Sequence, residues 1–281
     1  MISFNEETFP YALLEGVGLT KEMIDDLPGH VLETIGNGGR SPLLPIEIPT
    51  KFGSVSMYSK FRITDTIMED GRCGIVFYPQ LIEADLNQFS DTEKELLLAG
   101  KTILTEMDFA DEDESEHKLS DKCFVQLDND TNHVFYVHSS VIGRNLKAVD
   151  ANLDLSDEDM EKLSVGMLVT VTEPEFMTLG IDIFSDTGIF VCPGDENNWK
   201  TLVGRQLDKY NFGIFGCWIN EDGKLRYVKE EDFDDVILEE QDRITQRNKG
   251  RVDDSAHLKQ TEVEQPRNAG KEQEDSTQMT R

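Results

Sequence analysis

Two stretches of this chain repeat one pattern of residues, and that repeat limits the possible folds more than any other feature. Phe89-Ser90-Asp91-Thr92-Glu93 and Leu155-Ser156-Asp157-Glu158-Asp159 each set a Ser three residues before an acid. This is the spacing at which side chain and backbone close a helix N-terminus reciprocally, although Asp159 is shorter than the usual Glu. Ten residues after each Ser stands a Gly, Gly100 and Gly166, suited to the left-handed residue that ends a helix. Phe89 and Leu155 occupy the staple position before the cap, and Leu97 and Leu163 the same place in the apolar stripe. A β-like run follows each Gly, Thr102 to Thr105 and Leu168 to Thr172. A hairpin pattern comes next: Phe124 to Leu127, a turn at Asp128 to Asn132, and Val134 to Val137. The second copy has Ile181 to Phe184, a turn at Ser185 to Gly188, and Ile189 to Val191. The first copy is longer by the acidic stretch Asp108 to His117, which reads as a surface loop inserted into the unit.

The flanks extend this pattern. Tyr11, Leu13, Leu14 and Val17, then Met23, Ile24 and Leu27, then Val31, Leu32 and Ile35 recur at helical spacing between breakers. Gly36-Asn37-Gly38-Gly39 ends this small helical module, and Pro42, Pro45 and Pro49 favour an extended linker or edge strand after it. Tyr58 to Ile67 and Cys73 to Tyr78 flank Glu69-Asp70-Gly71-Arg72 as a hairpin, and Phe212 to Ile219 and Leu225 to Val228 flank Asn220-Glu221-Asp222-Gly223-Lys224 as another. Two copies are too few for an open solenoid, so the expected fold is α+β, with antiparallel sheets and helices on one face. The expected divisions are 1–49 (helical module), 50–150 (first hairpin and first repeat with its acidic insertion), 151–243 (second repeat and C-terminal hairpin) and 244–281. The last segment holds seven acids, seven bases and few large apolar residues, so it is expected to be disordered.

The 56 acids against 27 bases give a net charge of -29. Such a surface repels phosphate backbones and anionic lipid headgroups and attracts basic partners, so direct nucleic-acid binding is disfavoured. Cys73, Cys123, Cys192 and Cys217 lie far apart with no Cys-x-x-Cys pair, the pattern of reduced thiols in a cytoplasmic protein. No apolar run approaches the ~20 residues that span a bilayer, and Met1 to Glu15 shows no basic n-region, so neither membrane insertion nor secretion is expected.

Phe89-Ser90, Leu96-Leu97, Gly100, Phe124-Val125-Gln126-Leu127-Asp128, Thr131-Asn132 and Leu155-Ser156-Asp157 through Gly166 together resemble the family catalogued as domain of unknown function 3945. Leu14, Gly18-Leu19, the Asn37 to Arg40 turn and Ser41-Pro42-Leu43-Leu44-Pro45 are similar to its companion, domain of unknown function 4099. The resemblance spans about residues 9 to 172 and implies a protein of conjugative or transposable elements of the Bacteroides group, often encoded near type IA topoisomerases. It implies no activity and carries no site residues. Repeats of that family are rich in Lys, whereas the helices and the insertion here are acidic.

Motifs that would carry chemistry are incomplete. Asp128-Asn129-Asp130-Thr131-Asn132 offers oxygens like the start of a calcium loop, but His133 stands where the turn needs Gly and Ser139 where a bidentate Glu is needed, so a polar hairpin turn fits better. His133 and His138 are five apart, which puts them on opposite faces of a strand, and His117 and His30 sit in a charged loop and a turn. Gly36-Asn37-Gly38-Gly39-Arg40-Ser41 lacks the preceding strand and the Gly-Lys-Ser/Thr of a phosphate loop. No Gly-x-Ser-x-Gly, no His-Glu-x-x-His and no Cys beside a plausible His base occurs, so no catalytic residue, cofactor or metal is assigned. Seven acids lie between Glu106 and Glu116, five between Asp154 and Glu161, and eight between Glu230 and Asp242.

A solvated surface accounts for such runs. The sharper expectation is a presented acidic surface that docks a basic protein, such as DNA-processing machinery of the same element. Its candidate residues are Asp108, Asp111, Glu112, Asp113, Glu114 and Glu116 with Glu230, Glu231, Asp232, Asp234 and Asp235. Trp199, Tyr210, Phe212, Phe215 and Trp218 would add contact area if exposed, although clustered aromatics in a β region more often form core. The leading functional expectation is a non-enzymatic binding or adaptor protein. The alternatives are an acidic DNA mimic, which needs carboxylates spaced like phosphates, and an enzyme, which needs a pocket of carboxylates or His with perturbed pKa.

Overall fold

The computed structural model describes residues 9–67, 73–110, 118–173, 175–185, 187–203 and 207–247. Three short helices open the chain: α1 (Tyr11–Glu15), α2 (Lys21–Asp25) and α3 (Gly29–Gly36). Thr20 caps α2 by accepting from the Met23 amide, and Gly38 turns the chain after α3 with φ of 83°. Strands β1 (Leu44–Thr50), β2 (Gly53–Ile67) and β3 (Cys73–Pro79) form an antiparallel sheet in sequence order.

Helix α4 (Asp91–Leu98) then leads into β4 (Ile103–Ala110), β5 (Lys118–Asp128) and β6 (His133–His138), a second three-stranded antiparallel sheet. Ser90 and Glu93 close the helix start with a full capping box, and Gly100 ends it at φ of 73°. Helix α5 (Ser139–Leu153) follows. Helix α6 (Asp157–Ser164) leads into β7 (Val169–Val171), β8 (Met177–Ile181) and β9 (Ile189–Pro193), again three antiparallel strands. Here Ser156 accepts from the Asp159 amide, and Gly166 stands at φ of 86°. Helix α7 (Glu196–Val203) precedes the last sheet, β10 (Tyr210–Phe212), β11 (Gly216–Glu221) and β12 (Lys224–Lys229). Asp222 and Gly223 both take positive φ in the β11–β12 turn, as a two-residue hairpin requires. The chain is therefore α+β, with four small antiparallel sheets among its described residues.

Contacts divide the chain into Met1–Glu230 and Glu231–Arg281. Within the larger unit, apolar burial runs across the sequence. Leu14, Leu19, Ile24 and Ile35 of the helical start share a core with Leu44, Ile46, Phe61 and Ile63, and with Trp218 and Leu225 of the last sheet. The Leu225 amide donates to the Leu43 carbonyl, which joins the two sheets at their edges. Strand β5 is buried on both faces because its side chains alternate. Cys123, Val125 and Leu127 meet α4, while Phe124 packs with Ile142 and Leu146 of α5, Leu163 of α6 and Leu179 and Ile181 of β8. The sheets that follow α4 and α6 thus share one core.

In the smaller unit, residues 235–247 are helical. Asp234 caps that helix by accepting from the Ile237 amide.

Several sequence expectations shift. Asp108 belongs to β4 rather than to a loop, because β4 continues its ladder with β5 through Ala110. Ile183 and Phe184 lie in the β8–β9 turn, where the Asp182 side chain accepts from the Phe184 amide. Phe212 to Ile219 is two paired strands rather than one, since Gly213 to Phe215 turn around the Asp26 carboxylate. Residues 244–247 continue a helix, whereas the expected disorder of 248–281 and the turn at 69–72 concern residues outside those described.

Candidate functional site

Of the expected acidic surface, Asp108 is exposed on β4, and Asp111, Glu112, Asp113, Glu114 and Glu116 lie outside the described residues. Glu230 is exposed at the end of the larger unit. Glu231, Asp232, Asp234 and Asp235 are exposed in the smaller one, where Asp234 also serves as the helix cap. The start of α6 adds exposed Asp154, Asp157, Glu158 and Glu161. Glu158 pairs with Lys162 one turn on, at 2.7 Å. Carboxylates in the first turn of α6 lie at the positive end of the helix dipole, so they stabilise the helix while remaining open to solvent.

The buried carboxylates behave differently. Asp26, 3% exposed, accepts hydrogen bonds from the amides of Ile214 (2.6 Å) and Phe215 (3.0 Å) and from the hydroxyl of Tyr227 (2.6 Å). A β-carbon at position 213 would overlap this carboxylate, which accounts for the glycine there. Asp128, 4% exposed, receives the Lys60 ammonium at 2.8 and 3.0 Å, and the same ammonium reaches Asp130 at 2.7 Å. The residues that imitate a calcium loop are thus occupied by a lysine of the neighbouring sheet. The turn is tied to that sheet again by Gln80, whose amide donates to the Asp130 carbonyl, and by Asn132, whose amide donates to the Leu81 carbonyl.

Arg40 marks the place where the N-terminal module meets both later sheets. Its guanidinium carbon lies 3.6 Å from the ring centre of Phe135, 4.5 Å from Phe184 and 5.4 Å from Tyr78. Burial lowers its pKa from the usual arginine value, opposed by Tyr78 and Asp128, and its Nε is buried without a hydrogen-bond partner among the described residues. Asp182 sits near this cation. Burial pushes its carboxyl above the usual range, against hydrogen bonds from the Phe184 amide and Gln126 and the pull of Arg40. Gln126 also accepts from Thr102 and from the Ile183 amide, which fixes the β8–β9 turn to β5. The glycine-rich Gly36 to Ser41 segment therefore delivers an arginine into an aromatic box between sheets, a cation–π arrangement that holds modules together.

Cross-strand pairing also brings Cys123 and His138 together. Their register is direct, Cys123 Sγ lies 3.8 Å from His138 Nδ1, and Asp121 Oδ2 lies 2.7 Å from the same nitrogen. This resembles a nucleophile, base and orienting acid, and sequence spacing gave no sign of it. The chemistry points the other way. Burial raises the Cys123 pKa, whereas a nucleophilic thiol needs it lowered, and Asp121 occupies the nitrogen that would have to accept the thiol proton. His133 is separate, with its Nε2 2.9 Å from the Pro79 carbonyl. No group of three or more His, Cys, Asp or Glu suited to hold a metal occurs among the described residues.

Of the aromatics, Trp199 and Trp218 are core, each donating its indole N–H to a backbone carbonyl, Phe190 and Met23 respectively. Phe215 remains exposed. None of the described helices is long and apolar enough to cross a membrane. Searches against protein-family models, curated proteins and solved structures return no match to the chain.

Proposed function

We propose that the chain is a non-enzymatic acidic binding or adaptor protein that docks a basic protein through exposed carboxylates. One contrast carries this reading. Among the described residues, the buried carboxylates Asp26, Asp128 and Asp182 are each engaged by the chain's own donors, while Glu106, Asp154, Asp157, Glu161 and Glu230 stand exposed. Groups held in place by internal partners stabilise the fold. The exposed charges generate the field that steers a basic partner and selects against acidic ones.

The segments 90–138 and 156–193 are read as two copies of one helix–strand–hairpin unit. The Ser90 and Ser156 caps, the positive φ of Gly100 and Gly166, and the three antiparallel strands after each helix support that reading. The resemblance to the two mobile-element families supports a partner from the DNA-processing machinery of such an element. Four free, buried cysteines fit a reducing cytoplasm.

The test is affinity capture with the tagged full chain from lysate of the cells that encode it, at low and near-physiological salt. A stoichiometric basic protein retained where screening acts over about 8 Å supports the reading and identifies the process. Capture that disappears entirely at that salt reduces the acidic surface to a solubility device.

A further inference from the structure

Strand β4 is the edge of its sheet: it pairs with β5 from Ile103↔Val125 to Ala110↔Lys118, and no described strand pairs with its other side. An edge strand directs every second residue's N–H and C=O outward, so these eight residues hold a ready ladder for one more strand. The ladder is held rigidly, because Ile103 and Met107 are buried against the α4 side and Leu104 packs into the core on the other. On the Leu104 face the strand continues with exposed Glu106 and Asp108, two residues apart and therefore on the same side. Within the sheet Glu106 stands opposite Lys122 on β5. The sequence then enters its densest acidic run.

We propose that the free edge of β4 takes up an extended, basic segment of a protein partner as an added antiparallel or parallel strand. Backbone hydrogen bonds supply the register, and Lys or Arg at alternate positions lie beside Glu106 and Asp108. The charges commit the edge to this occupant. A second copy of the chain would bring the same carboxylates against themselves, and a phosphate backbone would be repelled. The inference rests on the acidic-adaptor reading and assigns it a surface.

The probe is a blocked octapeptide of alternating Lys and Val, offered to the full chain, with a control peptide of equal charge whose outward amides are N-methylated. Amide hydrogen exchange reads the location. The expected result is binding of the first peptide with slowed exchange within 103–110. Affinity falls about tenfold or more for the methylated peptide and for the Glu106→Lys, Asp108→Lys double variant. Equal binding of both peptides means charge alone is recognised and overturns the added strand. So does protection confined to other segments. Failure of both peptides to bind also overturns it and leaves the two carboxylates as guards against unwanted edge pairing. A basic partner captured from lysate that leaves exchange in 103–110 unchanged retains the adaptor reading and overturns this one.

Discussion

The hydroxyl of Tyr227 donates a 2.6 Å hydrogen bond to Oδ2 of Asp26, 201 residues earlier in the chain. The same carboxylate collects the amides of Ile214 and Phe215, so one buried acid closes the N-terminal helices onto the last sheet. Asp26→Ala leaves these donors without their acceptor and is expected to destabilise the fold by about 3 kcal/mol, read by urea unfolding. Tyr227→Phe removes one of the donors and costs about 1 kcal/mol. An Asp26→Ala variant as stable as the wild type contradicts this closure.

The Lys60 ammonium pairs with both Asp128 and Asp130. Lys60→Met strands a buried carboxylate and is expected to cost about 3 kcal/mol. Adding Asp128→Asn to it should recover part of that loss, since the neutral amide keeps an oxygen for the Asp130 amide. With the ammonium in place, millimolar calcium should leave the melting temperature unchanged; an upward shift would show that the turn binds the ion after all.

Burial raises the folded pKa of Asp182 above its unfolded value near 3.8. Its contribution to stability is therefore fully present below that unfolded value and is lost as pH rises through the raised folded pKa. Asp182→Asn should match the wild type in acid and equal or exceed it at neutral pH. Unfolding free energies followed across this range test the sign, and a variant that loses stability only near neutrality would reverse it.

All four cysteines are buried and free, and burial pushes the Cys217 thiol up to about 11. A thiol reagent at neutral pH should label none of them rapidly in the native protein and all four in denaturant. Fast native labelling of Cys123 would mean that His138 activates it.

Local punctuation was readable in the sequence. Ser90 with Glu93, Gly100, Gly166 and the Asp222-Gly223 turn act through bonds within a few residues, so their spacing alone encodes the geometry. Helix α5 has a local signal as well: Ile142, Leu146, Val149 and Leu153 recur at helical spacing and face the shared core. Other features had no local signature. The Asp26–Tyr227 closure, the Lys60–Asp128 pair and the aromatic box around Arg40 join residues brought together only by tertiary packing. The division of Phe212 to Ile219 belongs with them, since it depends on a carboxylate from α2's far end. Exposed acids could be counted but not sorted from buried ones until burial was known.

The central claim is that exposed carboxylates, and not the buried ones, engage a basic protein. It is tested most directly by comparing the full chain with a variant in which Glu106, Asp108, Asp154, Asp157, Glu158 and Glu161 become their neutral amides. Both are used to capture partners at near-physiological salt, after both have been shown to be folded at the temperature of capture. The wild type should retain a stoichiometric basic protein that the neutralised variant loses. Equal recovery by both would contradict the claim.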